Sequence, residues 1–383
     1  MQLRHSYFFI FALALLMQCK DPYHPPFSQA TQNFLVVDGF IDASGDSVHV
    51  TLSRAVALSL LQSSPPETKA TVYIEDDLGT LMYLSEKTSG NYWLSNNFSF
   101  DRKYKLHIQT VDGEKYSSDF ITLQQTPPID SLAWSASANG LALLVNAHDA
   151  SGKAKYYRWA YEETWQYDAP YPSSFVYDSQ LDSVMFRQPQ DQIYICWQTE
   201  LSTQILLYTT SQLQSDVVGN YQVLFLPKGS PKLYNEYSVL VKQQALSEEA
   251  YNFFYQLQTT TQSVGGLFDA LPSQVIGNVQ CESDANQTVL GFFNGGSVSY
   301  QRVFIKFLQL PIYLQYTAVD YSECKLDSIP VAKFKSISKA EKNSVVWISG
   351  YGQETLDGYT VTSPPCGDCR TQGGTNIKPL FWQ

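Results

Sequence analysis

Phe34-Leu35-Val36-Val37-Asp38-Gly39-Phe40 opens a series of short apolar segments, and Val48-His49-Val50-Thr51-Leu52 shows their character. In the second stretch every other residue is apolar, the period of a strand with one face in a core and the other in water. Tyr104-Lys105-Leu106-His107-Ile108 repeats the pattern. Between them lie Ala70–Glu75, Leu81–Leu84 and Tyr92–Leu94, with turn residues at Asp42–Asp46, Pro65-Pro66, Leu78-Gly79, Ser89-Gly90 and Asp112-Gly113. Roughly six strands at this spacing predict an immunoglobulin-like β-sandwich over residues 33–126.

Thr126-Pro127-Pro128-Ile129-Asp130 marks the end of that domain, because two adjacent prolines stiffen the chain and remove two donors. Residues 127–383 read as a larger β-rich domain. Its expected strands are Leu141–Asn146, Tyr156–Tyr161, Gln192–Glu200, Thr203–Thr209, Tyr221–Leu226, Glu236–Ala245, Val289–Phe293, Val298–Phe307, Leu310–Gln315 and Val345–Ile348. One helical insertion is expected near residues 247–264. Ser247 caps it, Glu248 and Glu249 favour its N-terminal dipole, and Gly265-Gly266 ends it. Ala250, Phe253, Phe254 and Leu257 form its apolar face, which reads as core packing. The fold class is therefore mainly β.

Composition agrees with this. Aromatic residues make up 14% of the chain and charged residues only 16%. Aromatic and β-branched side chains favour strands because they pack well on a half-buried pleated surface. The net charge of −11 excludes nucleic acid as a partner, since phosphates demand a basic footprint.

The N-terminus sets the compartment. Arg4 and His5 precede an apolar run from Tyr7 to Met17, too short to span a membrane and suited to a signal peptide. Leu16-Met17-Gln18-Cys19 then has the form of a lipobox, with Gln18 in place of the usual small residue. Residues 1–18 are the expected signal peptide, Cys19 the lipidation site, and residues 19–32, with Pro22, Pro25 and Pro26, a flexible tether. Relaxed lipoboxes of this kind resemble those of the Bacteroidota, and Lys20-Asp21 is similar to their surface-export signal. The expected location is the outer membrane, facing the cell surface in preference to the periplasm. An ordinary secretory signal with an incidental cysteine is the alternative.

Little chemistry is legible. Once Cys19 is lipidated, Cys196, Cys281, Cys324, Cys366 and Cys369 remain, an odd number in an exported, disulfide-permissive chain. Connectivity stays open, with Cys366 and Cys369 favoured as a local pair. Cys366-Gly367-Asp368-Cys369 lacks the second ligand pair of a zinc site and lies between Pro364-Pro365 and Gly373-Gly374, so a structural clip is expected over redox or metal chemistry. The histidines, at positions 5, 24, 49, 107 and 148, have no metal-site spacing. No nucleophile elbow or phosphate loop is present. No catalytic residue, metal or cofactor is expected. Glu162-Glu163 beside Trp165, Tyr167 and Tyr171 suggests a carbohydrate site, weighed against a strand end leading into a surface loop. Asp-Ser-apolar triplets at 46–48, 130–132, 182–184 and 327–329 weakly resemble a Bacteroidota O-glycosylation motif.

Several segments together resemble a Bacteroidota lipoprotein family, domain of unknown function 4249. They are Phe34–Gly39, Thr126–Ser131, Tyr156-Tyr157-Arg158-Trp159, Cys196-Trp197, Tyr237–Gln243, Gly277–Cys281, Cys366–Arg370 and Gly373–Trp382, the last with Leu380 where the pattern has an acidic residue. The resemblance implies an outer-membrane lipoprotein that accompanies a TonB-dependent transporter, an accessory role in nutrient capture or uptake without catalysis. A stand-alone surface glycan-binding or adhesion module is the second expectation, and a hydrolase with an unrecognised site the third. The ligand is unknown.

Overall fold

The computed structural model describes residues 34–55, 64–262, 275–284, 286–315, 322–349 and 357–383. The signal peptide 1–18, Cys19, the tether 19–32, His24 and Gly265-Gly266 lie outside the described residues. The chain is mainly β, as the sequence predicts.

Two sheets build the N-terminal unit. The first runs Val289–Gly296, Leu35–Asp42, Ser47–Arg54, Asn91–Ser95, Ser85–Thr88. The second runs Val279–Cys281, Lys115–Ser118, Lys103–Gln109, Thr71–Asp76, Leu81–Tyr83, with Ile121–Thr122 also paired to Lys103–Gln109. The alternation in sequence becomes alternation in burial. Leu35, Val37, Ile41, Val48, Val50 and Leu52 meet Val72, Ile74, Leu106 and Ile108 in one core. Each such side chain contributes roughly 1.5–3 kcal/mol when fully buried.

The boundary at residue 126 needs correction. Val289–Gly296 returns more than a hundred residues later and pairs in parallel with Leu35–Asp42, while Val279–Cys281 extends the second sheet beside Lys115–Ser118. Val279, Cys281, Val289 and Phe293 complete the same core. Residues 33–126 therefore do not close a sandwich by themselves. Their sequence shows the inward residues but not the strand that covers the edge. Gly291 permits the parallel pairing. Its φ is 127°, and an added Cβ would lie 1.8 Å from the Val37 carbonyl oxygen.

The second unit is again two sheets over one core. Ile129–Ser137, Gly140–His148 and Val217–Pro227 form an antiparallel sheet. Against it lies a sheet ordered Ile195–Leu201, Tyr156–Asp168, Glu236–Leu246, Val298–Lys306, with Leu206–Thr209 on the first half of Tyr156–Asp168. Leu141, Leu143 and Val145 pack with Tyr157, Trp159, Tyr237, Val239 and Val241. The buried Trp159 indole donates to Gln243 Oε1 at 2.9 Å, and Gln243 Nε2 donates to the Pro127 carbonyl at 2.9 Å. The two prolines are thus anchored to this core.

Only Ser297 separates Val289–Gly296 from Val298–Lys306, so one nearly continuous stretch serves both units. The helix Glu248–Gln262 packs beside that crossing. Ser247 Oγ accepts from the Ala250 N–H at 3.2 Å, the expected cap. Ala250, Phe253 and Phe254 pack on Leu207, Leu246 and Phe292.

Two further expectations change. Tyr156–Tyr161 continues as a strand to Asp168, and Leu310–Gln315 is helical at Ile312–Gln315 rather than extended. Pro311 lacks a ladder donor but can supply the first helical carbonyl, which accepts from the Leu314 N–H at 2.8 Å. The Cys-containing C-terminal segment, expected as a loop, is helical at Pro364–Gly367 and Cys369–Gln372, and a small sheet precedes it. Leu326–Pro330, Gly358–Thr362 and Val345–Ser349 form a sheet that shares a core with the hairpin Phe175–Asp178/Ser183–Phe186.

Candidate functional site

The Glu162-Glu163 pair comes apart first. Both lie inside the strand Tyr156–Asp168, where consecutive side chains point to opposite faces. Glu163 is buried and accepts from Tyr237 Oη at 2.7 Å and from Lys232 Nζ at 3.0 Å. Lys232 also reaches Glu200 Oε2 at 2.8 Å and sits 4.5 Å from the Trp165 ring centre. On the other face, Glu162 accepts from Arg302 Nη2 at 3.2 Å, and that guanidinium stacks on Phe381. Two carboxylates flanking one glycosidic bond must face the same space, and these do not.

Burial and then Glu163 drive the Tyr237 phenol far above its ordinary range. For Lys232, burial favours the neutral form, but the bonds and charges of Glu200 and Glu163 outweigh it and raise the pKa. Ion pairing and cross-strand packing account for this cluster. The neighbouring aromatics are occupied as well. Trp165 is buried, Tyr167 donates to the Cys369 carbonyl at 2.8 Å, and Tyr171 donates to the Cys324 carbonyl at 3.2 Å.

Those carbonyls belong to disulfide cysteines. The pairs are Cys196–Cys369 and Cys324–Cys366, not the expected Cys366–Cys369. Backbone docking explains the correction. The Cys369 N–H bonds to the Ile193 carbonyl and the Tyr171 N–H to the Cys366 carbonyl, each at 2.9 Å, so each cysteine is held against a different segment. Cys281 is buried and free.

The described histidines are scattered. His49 is exposed, His107 meets Glu75 at 2.7 Å, and His148 meets Asp130 at 2.7 Å. The bond to Asp130, and then its charge, raises the His148 pKa. Among the described residues no three His, Cys, Asp or Glu side chains are grouped to hold a metal.

A cleft at the junction of the two units is the candidate binding site. It encloses about 380 Å³, within the range of small-molecule sites. Its walls come from the residues flanking Ile121–Thr122 in the second sheet (Asp119, Phe120, Gln124), from the helix start (Ser247, Glu249), and from the crossing strand (Phe292, Asn294). Asn278 is fixed in the wall by a reciprocal pair of bonds with the Phe293 backbone, at 2.7 and 2.8 Å. Lys103, Asp119 and Glu249 bring charges of both signs, while Phe120 and Phe292 supply apolar surface. Sequence reading missed this site because its walls come from segments more than a hundred residues apart. Asn278 and Phe292 fall within segments that the sequence singles out, Gly277–Cys281 and Val289–Phe293, but nothing local places the two in one wall.

A family model described as Domain of unknown function (DUF4249) matches residues 20–302, about three quarters of the chain. No curated protein matches it.

Proposed function

We propose for this chain, which belongs to the DUF4249 family, a non-enzymatic role as a lipid-anchored outer-membrane protein that assists a TonB-dependent transporter in nutrient capture or uptake. The observation that carries the reading is the lipobox Leu16-Met17-Gln18-Cys19 after an apolar run too short to span. Two disulfides that tie the C-terminal region to distant segments accord with an oxidising compartment outside the cytoplasm. The junction cleft offers a mixed polar and apolar lining suited to holding a solute for transfer. Glu162 and Glu163, facing opposite ways, lend no support to the hydrolase alternative.

A second reading, a stand-alone glycan-binding surface, is favoured by one feature. On the outer face of the N-terminal unit, Tyr73 stacks on His107 with ring centres 4.7 Å apart, and the exposed Tyr83 lies 5.2 Å from Tyr73. The exposed Tyr83 ring, near Glu75 and His107, suits the apolar face and hydroxyls of a sugar.

Affinity purification of the tagged, lipidated protein from native outer membranes in mild detergent decides between them. A near-stoichiometric TonB-dependent transporter supports the accessory role. Recovery of the lipoprotein alone, in a detergent that preserves a known transporter complex, overturns it in favour of the independent binder.

A further inference from the structure

Arg158 stands apart from the other described arginines. Arg54 donates to Glu67, Arg102 pairs with Asp76 and Asp77, Arg302 donates to Ser238 and Glu162, and Arg370 pairs with Asp368. Arg187 gives its N–H groups to the carbonyls of Ser173, Phe175 and Asn343. The Arg158 side chain makes no hydrogen bond or ion pair with any described residue; its one contact of this kind is with the ring of Phe254, whose centre lies 4.1 Å from the guanidinium carbon. Arg158 is half-buried, and none of its nitrogens is among the fully buried atoms without a partner. Enough protein surrounds it that desolvation lowers its pKa, with Asp38 acting in the opposite sense.

The surroundings are specific. Arg158 lies on the face of Tyr156–Asp168 opposite Tyr157 and Trp159, which fill the core. Cross-strand register sets Arg158 opposite Gln244 and Ala160 opposite Lys242. Lys242 is therefore a diagonal neighbour on the same face, roughly 7 Å away, and its side chain too makes no hydrogen bond or ion pair with a described residue. Asp38 projects from the N-terminal unit in register with Phe292, and Phe292 packs against Phe254. Asp38 forms no ion pair with either cation. Arg158 and Lys242 thus stand at this junction without a carboxylate partner among the described residues, the nearby acids being Asp38 and Asp42, the latter held by Tyr300 opposite Lys242.

We propose that Arg158, fixed on Phe254 and flanked by Lys242, binds a carboxylate group of a ligand at the junction between the two β units. A guanidinium presents a planar fork that takes both oxygens of a carboxylate, and one negative charge meets less repulsion from Asp38 and Asp42 than two would. A phosphate dianion would meet repulsion from Asp38. The site goes beyond the accessory reading and does not depend on it: loss of carboxylate binding would leave the co-purification result untouched.

Saturation-transfer NMR on the full mature protein in detergent tests the site, with acetate as probe and acetamide as its uncharged counterpart. Saturable acetate binding is expected, with none for acetamide. Arg158→Gln should weaken it at least tenfold and Lys242→Gln several-fold, with thermal unfolding confirming that each variant is folded. Acetate binding no better than acetamide overturns the proposal, as does unchanged affinity in the folded variants. Should Arg158→Gln fail to fold, Lys242→Gln, at a half-buried and unpaired position, decides. Displacement of acetate by inorganic phosphate at lower concentration overturns the carboxylate assignment.

Discussion

Lys232 extends from the short turn Pro231–Leu233 to two carboxylates on neighbouring strands, and its stem and charge cover Trp165. The pair with Glu163 is the consequential one, because Glu163 is buried and Glu200 is solvated. Removing one partner of a buried pair strands the other charge, at about 3–5 kcal/mol when burial is complete. With 22% of the Lys232 side chain exposed, Lys232→Met should cost roughly 2 kcal/mol, read as a lowered midpoint in chemical denaturation. Lys232 has a folded pKa above its unfolded value. Its contribution is complete below the ordinary lysine range near 10.5 and fades as pH rises through the folded pKa, so the wild-type advantage over the variant should shrink only in strong alkali. A variant as stable as the wild type at neutral pH would show that water serves Glu163 equally well.

Among elements, the crossing strand and the C-terminal clip carry the clearest expectations. Gly291 holds a left-handed φ with the Val37 carbonyl where a Cβ would sit. Gly291→Ala should cost roughly 1–3 kcal/mol in backbone strain alone, with further loss from displaced pairing to Leu35–Asp42. An unchanged denaturation midpoint would contradict that register. The disulfide Cys196–Cys369 closes a separation of 173 residues, and Cys324–Cys366 one of 42. Cys196→Ser should lower stability by roughly 2–5 kcal/mol, as loss of a native cross-link does in small exported domains. Peptide mapping without reduction should recover the 196–369 and 324–366 linkages, whereas a Cys366–Cys369 peptide would refute them.

At the scale of the molecule, the N-terminal unit is discontinuous in the chain. Residues 34–126 lack Val279, Cys281, Val289 and Phe293 from their core and leave the edge at Leu35–Asp42 unpaired. Expressed alone, this fragment should give an unfolded amide spectrum by NMR, and a version extended by residues 275–297 through a flexible linker should recover dispersion. Dispersed resonances from the short fragment would show that the sandwich closes without its late strands. The same discontinuity places the cleft and Arg158 beside one junction, since the stretch from Val289 to Lys306 belongs to both units.

The sequence by itself determined the longer strands of the N-terminal unit, though not Ser85–Thr88, Lys115–Ser118 or Ile121–Thr122, and it determined where the long helix starts and that its aromatic face is buried. Those properties are local: the period of apolar residues and the chemistry of a cap act within a few positions. It also carried the family resemblance, now matched over residues 20–302. Only the tertiary structure decided that Val289–Gly296 belongs beside Leu35–Asp42, that Cys366 and Cys369 part to distant partners, and that Glu162 and Glu163 face opposite ways. It likewise decided that the Arg158 side chain, unremarkable within Tyr156-Tyr157-Arg158-Trp159, has no acceptor among the described residues. These outcomes depend on which surfaces meet across long stretches of chain, and parallel pairing, disulfide choice and the matching of a charge to its partner leave no periodic trace in any one segment.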